Sequence, residues 1–570
     1  MHMRRGHPSS TSVALSLCAA LLLWGCSAPG AAPRAANAPA PPASEARRGG
    51  VARIALWQEP IILNPLLGNQ TVNAVVSRTM LEGLLAYLPD GRAVGALAAE
   101  VPSLENGGVS PDGLTVTWKL RKGVVWSDGI ALTSKDAVFT YHVMMNPTNP
   151  VINLAGYPDI ESLATPDDTT LVVKYRVIYA AFKDHFDWIL PEHVFGGDSA
   201  IETREFNQAP VGTGPFRFKS WEPGNTITLE RNPSYREPGK PRLDGIVFKI
   251  VPARDVAILW LKVGEVEGLW NLAEDNIPEI DAIADGVLIP APSNRIERLV
   301  LNASCPSGPQ QGDPACKHPV LGDVRVRQAI ELAIDKRAIV DELLFGRASV
   351  ASSILPFGPY AAALPRTETD PPRARQLLEE AGWQVGSDGI RVKDGVRASL
   401  SYATTTGDRL REQTQALVQL QLRAVGIEVR SDNLPSAILF GGWQDGAARA
   451  RGNYDIAMYT ISMPLDPQAA LHNLYHSSRV PSERVRNGSN VHRILDPELD
   501  AALLAASSTV DETQRAAAFR IVAERADAGK GHILLYTRLD LDAFRKSLKG
   551  HEPNIWADFT WNTEDWWLES

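Results

Sequence analysis

From Leu114 to Arg121 apolar and polar residues alternate without a break, Leu114, Val116, Trp118 and Leu120 against Thr115, Thr117, Lys119 and Arg121. A period of two puts each set on one face of a strand, so the segment predicts a sheet with one dry face. The same alternation recurs at Phe216 and Phe218 against Arg217 and Lys219, and at Ile227 and Leu229 against Thr228 and Glu230. Between these two runs, Glu222-Pro223-Gly224-Asn225 places Pro and Gly at the central positions of a type II turn, which predicts a hairpin. Further strands are predicted over 51–57, before the proline-punctuated run 59–65, and over 454–460 and 533–536.

Helices are announced by their caps. Thr133 and Asp136 have capping-box spacing and predict a helix over about 134–144. Asp323 and Asp335 stand at the N-cap positions of two consecutive helices, with Val326, Ile330 and Ile334 four apart. Asp370-Pro371 opens another helix and Gly382 closes it. A longer helix is predicted over 409–425, ended by Gly426 and followed by a strand over 427–429. Asp496-Pro497 then begins a helical region reaching about Ala528. Strands and helices interleave up to the aromatic stretch Trp561–Trp567, so the fold class is mixed α/β. The 570 residues exceed the ~250–300 at which one core stops growing, and more than one domain is expected.

The amino terminus follows a different pattern. Arg4 and Arg5 precede an apolar run from Val13 to Trp24, shorter than the ~20 residues of a membrane-spanning helix and placed where a secretory signal belongs. It ends Leu22-Leu23-Trp24-Gly25-Cys26-Ser27, which resembles a bacterial lipobox, although Trp24 departs from the small residue usual there. The expectation is a signal peptide over 1–25, a diacylated Cys26 and an Ala/Pro-rich tether over 26–49 that cannot bury apolar surface. Such a chain is exported and lipid-anchored at the periplasmic or extracellular face of a membrane. Cys305 and Cys316 then remain beside the signal's Cys18; in an exported protein an isolated pair reads as a disulfide, with free thiols or a metal site that would enlist His318 as the alternatives.

Composition changes little else. Apolar residues are 44% and charged residues 22%, ordinary for a globular protein, and the net charge of −9 with no basic stripe argues against nucleic-acid binding. There is no Gly-x-Ser-x-Gly elbow, no His-Glu-x-x-His and no phosphate loop, since Gly529-Lys530 is followed by Gly531. No cofactor is expected, and no enzyme.

Pro111 to Gly129 (PDGLTVTWKLRKGVVWSDG) resembles the signature of the family 5 bacterial extracellular solute-binding proteins. Other blocks fit in order: Val211-Gly212-Thr213-Gly214-Pro215-Phe216, Leu229-Glu230-Arg231-Asn232-Pro233, Val326-Arg327-Gln328-Ala329 with Ile334-Asp335, and Ala374 to Trp383. The resemblance implies a two-lobed periplasmic-binding-protein clamshell of type II. Lobe I would comprise 50–81, 210–317 and 531–570, carrying an additional subdomain over 82–209; lobe II would span 318–530. Two crossover segments would form the hinge. It also implies a monomer that captures a peptide-like solute for an ABC importer and meets its permease subunits. The alternative is the same fold holding an oligosaccharide, a metal chelate or another metabolite.

The same resemblance nominates site residues. The strand edge at Tyr459, Thr460 and Ile461 would pair with a peptide backbone, as in strand addition. Peptide-binding relatives place an aspartate three residues before an Asp-Pro pair to take the ligand's ammonium; here that position is Met463, and Asp466 either substitutes or merely caps the next helix. Among fourteen tryptophans, Trp57, Trp260, Trp270 and Trp443 lie outside the family blocks and are cleft candidates, with Trp57, Trp270 and Trp443 assigned to the site. Glu59 and Asn64 follow the first strand where lobe I would approach ligand. His472 and His476 share a helix face at i, i+4, but two imidazoles alone read as structural rather than as metal ligands.

Overall fold

The computed structural model describes residues 47–68, 70–151 and 153–569. The signal peptide, Cys18, the lipidation at Cys26 and nearly all of the tether lie outside the described residues.

The fold is organised by one eleven-stranded sheet. From one edge its strands are Phe216–Glu222, Thr226–Arg231, Gly245–Ile250, Val51–Leu56 and Gly268–Leu269, then the two long strands His532–Arg545 and Gly286–Leu301, then Ile456–Ser462, Ser399–Ala403 and Glu428–Ser431; the eleventh, Ser349–Val350, pairs with His532–Arg545 off this path. Val51–Leu56 runs parallel to both its neighbours, and Ser399–Ala403 to both of its own. The long pair joins these parallel halves by antiparallel pairing with each other and with their outer neighbours. Parallel strands need cover on both faces. Val51–Leu56 obtains it by sending Ile54 and Leu56 into one core and Ala55 into another. The first core also holds Trp118, Trp126, Phe216 and Phe248; the second holds Ile330, Leu378, Tyr402 and Leu535.

The cap and turn chemistry accounts for most element starts. Thr133 N–H donates to Asp136 Oδ2 at 2.8 Å, and the helix runs Ser134–Met145. Asp323, Asp335 and Asp370 accept from Arg325, Ala338 and Arg373 backbone N–H groups, each at 2.9 Å. The hairpin turn closes with Asn225 N–H on Glu222 O at 3.0 Å and Gly224 at φ +74°, the left-handed conformation a type II turn requires. Leu114–Arg121 yields the strand Thr115–Lys119, which joins Thr170–Tyr175 and Ile160–Asp167 in a small separate sheet. Glycine at 212 has a packing reason: a Cβ there would stand 1.9 Å from Met80 O, on which Gly214 N–H also bonds at 2.8 Å.

Three elements go beyond the sequence reading. The strand expected over 533–536 is His532–Arg545, fourteen residues long. The strand Gly286–Leu301 was not foreseen; Pro290 and Pro292 interrupt its pattern, and its register shifts between Pro292 and Ile296. The helical region after Asp496 is two helices, Pro497–Ser507 and Glu512–Gly529, the second capped by Asp511 on Gln514 N–H at 2.9 Å. Cys305 and Cys316 are disulfide-bonded, their Cα atoms 5.4 Å apart.

Candidate functional site

A cavity of about 540 Å³ is walled on one side by residues between 87 and 184 and on the other by residues between 359 and 515. That volume lies within the ~300–1,000 Å³ typical of small-molecule sites. Tyr87 reaches it from the strand Leu85–Tyr87, and Asp184 from the end of the 3-10 turn Phe182–Asp184. Opposite them, Asp466 comes from the turn after Ile456–Ser462 and Arg515 from the first turn of Glu512–Gly529. Phe182, Val101, Leu104 and Leu465 supply apolar wall.

The second wall is fixed by Arg515. Its guanidinium donates to Asp466 Oδ2 at 2.7 Å and Oδ1 at 3.0 Å, to the Tyr360 hydroxyl at 2.7 Å and to Ala506 O at 3.1 Å. Burial opposes its charge, but the hydrogen bonds and charge of Asp466 prevail and raise its pKa. Asp466 also accepts from Gln468 N–H at 3.0 Å, so its carboxylate is engaged both by the next helix and by Arg515. Asp184 is less well partnered. The Tyr87 hydroxyl lies 3.0 Å from Lys183 O and 3.3 Å from Asp184 Oδ1, and its single proton serves two acceptors. Burial first, then the charges of Asp466 and Asp187, push Asp184 up to about 7. The carboxylate lines the cavity and is exposed to water there, although protein surrounds it closely enough to disfavour its charge.

The residues nominated from sequence fall in several places. Asp466 lines the cavity. Met463 is buried beside it, lining a minor space of about 10 Å³ with Tyr360 and Trp556. Trp57 and Trp270 stack at 6.2 Å between centroids, with the Arg254 guanidinium 4.1 Å over Trp57. Glu59 accepts from Trp221 Nε1 and Gly224 N–H, both at 2.9 Å, and so fastens the hairpin. Asn64 is fully buried, donating to Asn207 Oδ1 at 3.0 Å. Trp443 donates to Glu483 at 2.9 Å under Arg451, whose guanidinium is 4.2 Å from its ring. Trp260 has the Lys249 ammonium 4.5 Å over its ring.

Along the strand Ile456–Ser462, Tyr459 is buried against Phe440 with the Arg298 guanidinium 4.6 Å from its ring, and Ile461 pairs with Ile296. Thr460 enters a charged network: its hydroxyl donates to Glu297 at 2.6 Å and accepts from Arg411 at 2.8 Å. The His472 and His476 rings stack at 4.4 Å. Among the described residues no group of three or more His, Cys, Asp or Glu side chains could hold a metal ion. Tyr87, Asp184, Tyr360 and Arg515 were not nominated; only their convergence across the cavity distinguishes them.

Comparison with known proteins places the fold. The model for the middle region of the bacterial extracellular solute-binding proteins, family 5, matches residues 93–482. The oligopeptide-binding protein AppA of Bacillus subtilis is 26% identical over 539 residues, covering 92% of this chain and 93% of that protein. The structure of AppA from Bacillus subtilis in complex with a nonapeptide superposes with a TM-score of 0.64 at 25% identity, covering 92% of this chain and all of that one. NikZ from Campylobacter jejuni in complex with Ni(L-His) gives a TM-score of 0.68 at 23% identity, covering 90% of this chain and 99% of that one. The fold is the two-lobed α/β clamshell of type II periplasmic binding proteins. The chain belongs to the bacterial extracellular solute-binding proteins, family 5.

Proposed function

We propose that this protein is the extracytoplasmic binding component of an ABC importer, that it captures a peptide-like solute between two lobes, and that it performs no chemical step. The observation that carries this is the 540 Å³ cavity, whose walls come from chain segments some 175 or more residues apart and meet with polar groups from both sides. The fold it shares with a nonapeptide-bound AppA points the same way. Lobe I is assigned to 50–81, 210–317 and 531–570, its subdomain to 82–209 and lobe II to 318–530. The strands Gly286–Leu301 and His532–Arg545 serve as the hinge between them. A diacylated Cys26 and a flexible tether hold the monomer near its permease. Among the described residues no helix is long and apolar enough to cross a membrane.

Ligand that binds only the folded protein raises its stability by ~2.7 kcal/mol at a hundredfold excess over Kd. A thermal-shift screen of the mature protein against short peptides, oligosaccharides and nickel salts is expected to show stabilisation by peptides. No stabilisation by any of these, together with hydrolysis of one, would end the binding-protein reading. Stabilisation by sugars or nickel alone would replace the peptide.

A further inference from the structure

We propose that the cavity selects solutes carrying a protonated amine, and that Asp184 is the carboxylate that meets it. This rests on the reading of the cavity as the solute site. Five carboxylates line the space, Glu105, Asp184, Asp466, Asp511 and Glu512, against three cations. Each cation is already committed: Arg515 to Asp466, Lys183 to Glu512 and Arg92 to Asp90. The lining therefore carries negative charge that no cation of the lining neutralises.

The three carboxylates outside these pairs are not equivalent. Asp511 caps the helix Glu512–Gly529 through Gln514 N–H. Glu105 is exposed and is held low by the Ser103 hydroxyl. Asp184 is exposed as well, but it lines the cavity with no basic side chain within ion-pair distance among the described residues and only a share of the Tyr87 hydroxyl at 3.3 Å. Tyr87, Tyr179, Asp187, Asp466 and Arg515 are titratable or charged groups that interact with it, and the Arg515 charge that opposes the acids is spent on Asp466. An ammonium placed here gains a hydrogen-bonded ion pair without displacing one, and it relieves repulsion between Asp184, Asp187 and Asp466. The free amino terminus of a short peptide supplies such a group, as does a lysine side chain or a diamine. Aromatic surface from Tyr87, Phe182 and Tyr360 lies beside it.

The test is calorimetric titration of the mature protein with trialanine, N-acetyl-trialanine and putrescine. Trialanine is expected to bind at least tenfold tighter than its acetylated form. Asp184→Asn should reduce trialanine affinity roughly tenfold, as loss of a hydrogen bond to a charged group does, and leave the acetylated peptide unchanged. Because Asp184 titrates near 7 in the empty cavity, the wild type should release a proton on binding trialanine at pH 6, read as a heat that varies with buffer. The variant should not. Equal binding of free and acetylated peptide by the wild type would overturn the amine selectivity yet leave a peptide-binding protein standing, and undiminished trialanine binding by Asp184→Asn would remove Asp184. If neither peptide binds, the peptide reading fails, and putrescine then decides the amine: binding that depends on Asp184 upholds the inference, and no binding ends it.

Discussion

Asp466 shows how a single carboxylate can line a cavity and still be committed to the fold. Both its oxygens are taken by a guanidinium only 3% exposed, which has no other carboxylate partner among the described residues. Asp466→Asn removes the charge while leaving Arg515 buried, and breaking such a pair costs ~3–5 kcal/mol. Chemical denaturation of the variant is expected to show a loss of that order; a loss below ~1 kcal/mol would mean that Asp466 is free for ligand. The sequence put Asp466 near the site because it lies on the family's strand-turn block, and Met463 beside it as a missing carboxylate. It could not nominate Asp184. That residue lies 282 positions earlier in a segment without alternation or cap, and its importance arises from the neighbours that folding brings to it. Glu59 and Asn64 were nominated by position, and in the structure their polar atoms bond Trp221, Gly224 and Asn207.

Elements whose ends carry their own hydrogen-bonding chemistry were readable in advance. The helices that begin at Asp323, Asp335, Asp370 and Asp496 do so because an aspartate side chain meets orphan N–H groups two or three residues on. The hairpin after Phe216 is specified by its own turn. Gly286–Leu301 was hidden because its strand character comes from two neighbours, Ile456–Ser462 and His532–Arg545, which lie far away in sequence and tolerate its prolines. The Cys305–Cys316 loop joins both kinds of information. Its ends pair through Cys305 N–H on Cys316 O at 2.8 Å, and beside it buried His318 accepts two backbone N–H groups at Nδ1 and reaches Asp455 through Nε2 at 2.9 Å. That leaves His318 with both ring nitrogens occupied by the fold, not by a metal. Closing a loop of this length restricts the unfolded chain by ~2–3 kcal/mol. Replacing both cysteines by serine is expected to lower unfolding stability by about that amount with unchanged ligand affinity. A change in affinity instead would place the loop in the binding site.

Across the molecule, the two long strands connect the two parts of the sheet, and they carry a set of paired charges. Arg295 pairs with Asp540; Glu297, fully buried, lies between Arg411 at 3.0 Å and Arg538 at 3.6 Å; and Arg538 reaches Glu274 at 2.7 Å. Each of these acids thus has a basic partner. Among the described residues Asp542, on the strand His532–Arg545, accepts only Asn271 N–H, at 2.9 Å. Burial, aided by the charge of Asp540, raises it to about 7 against the opposing pull of that hydrogen bond and of Arg295. In the unfolded chain it titrates near ~4. Between pH ~4 and 7 the folded protein therefore holds a proton that the unfolded chain has lost, and this contribution to stability disappears as pH rises through 7. Asparagine keeps the shape and the acceptor for Asn271 but has no proton to lose. Asp542→Asn should thus be more favourable relative to the wild type at pH 8 than at pH 5, by on the order of 3 kcal/mol. Paired denaturation curves at the two pH values measure the difference directly. A difference of zero, or one of opposite sign, would show that Asp542 is ionised in the folded protein at pH 5, with its charge compensated by Arg295 across the strand pair.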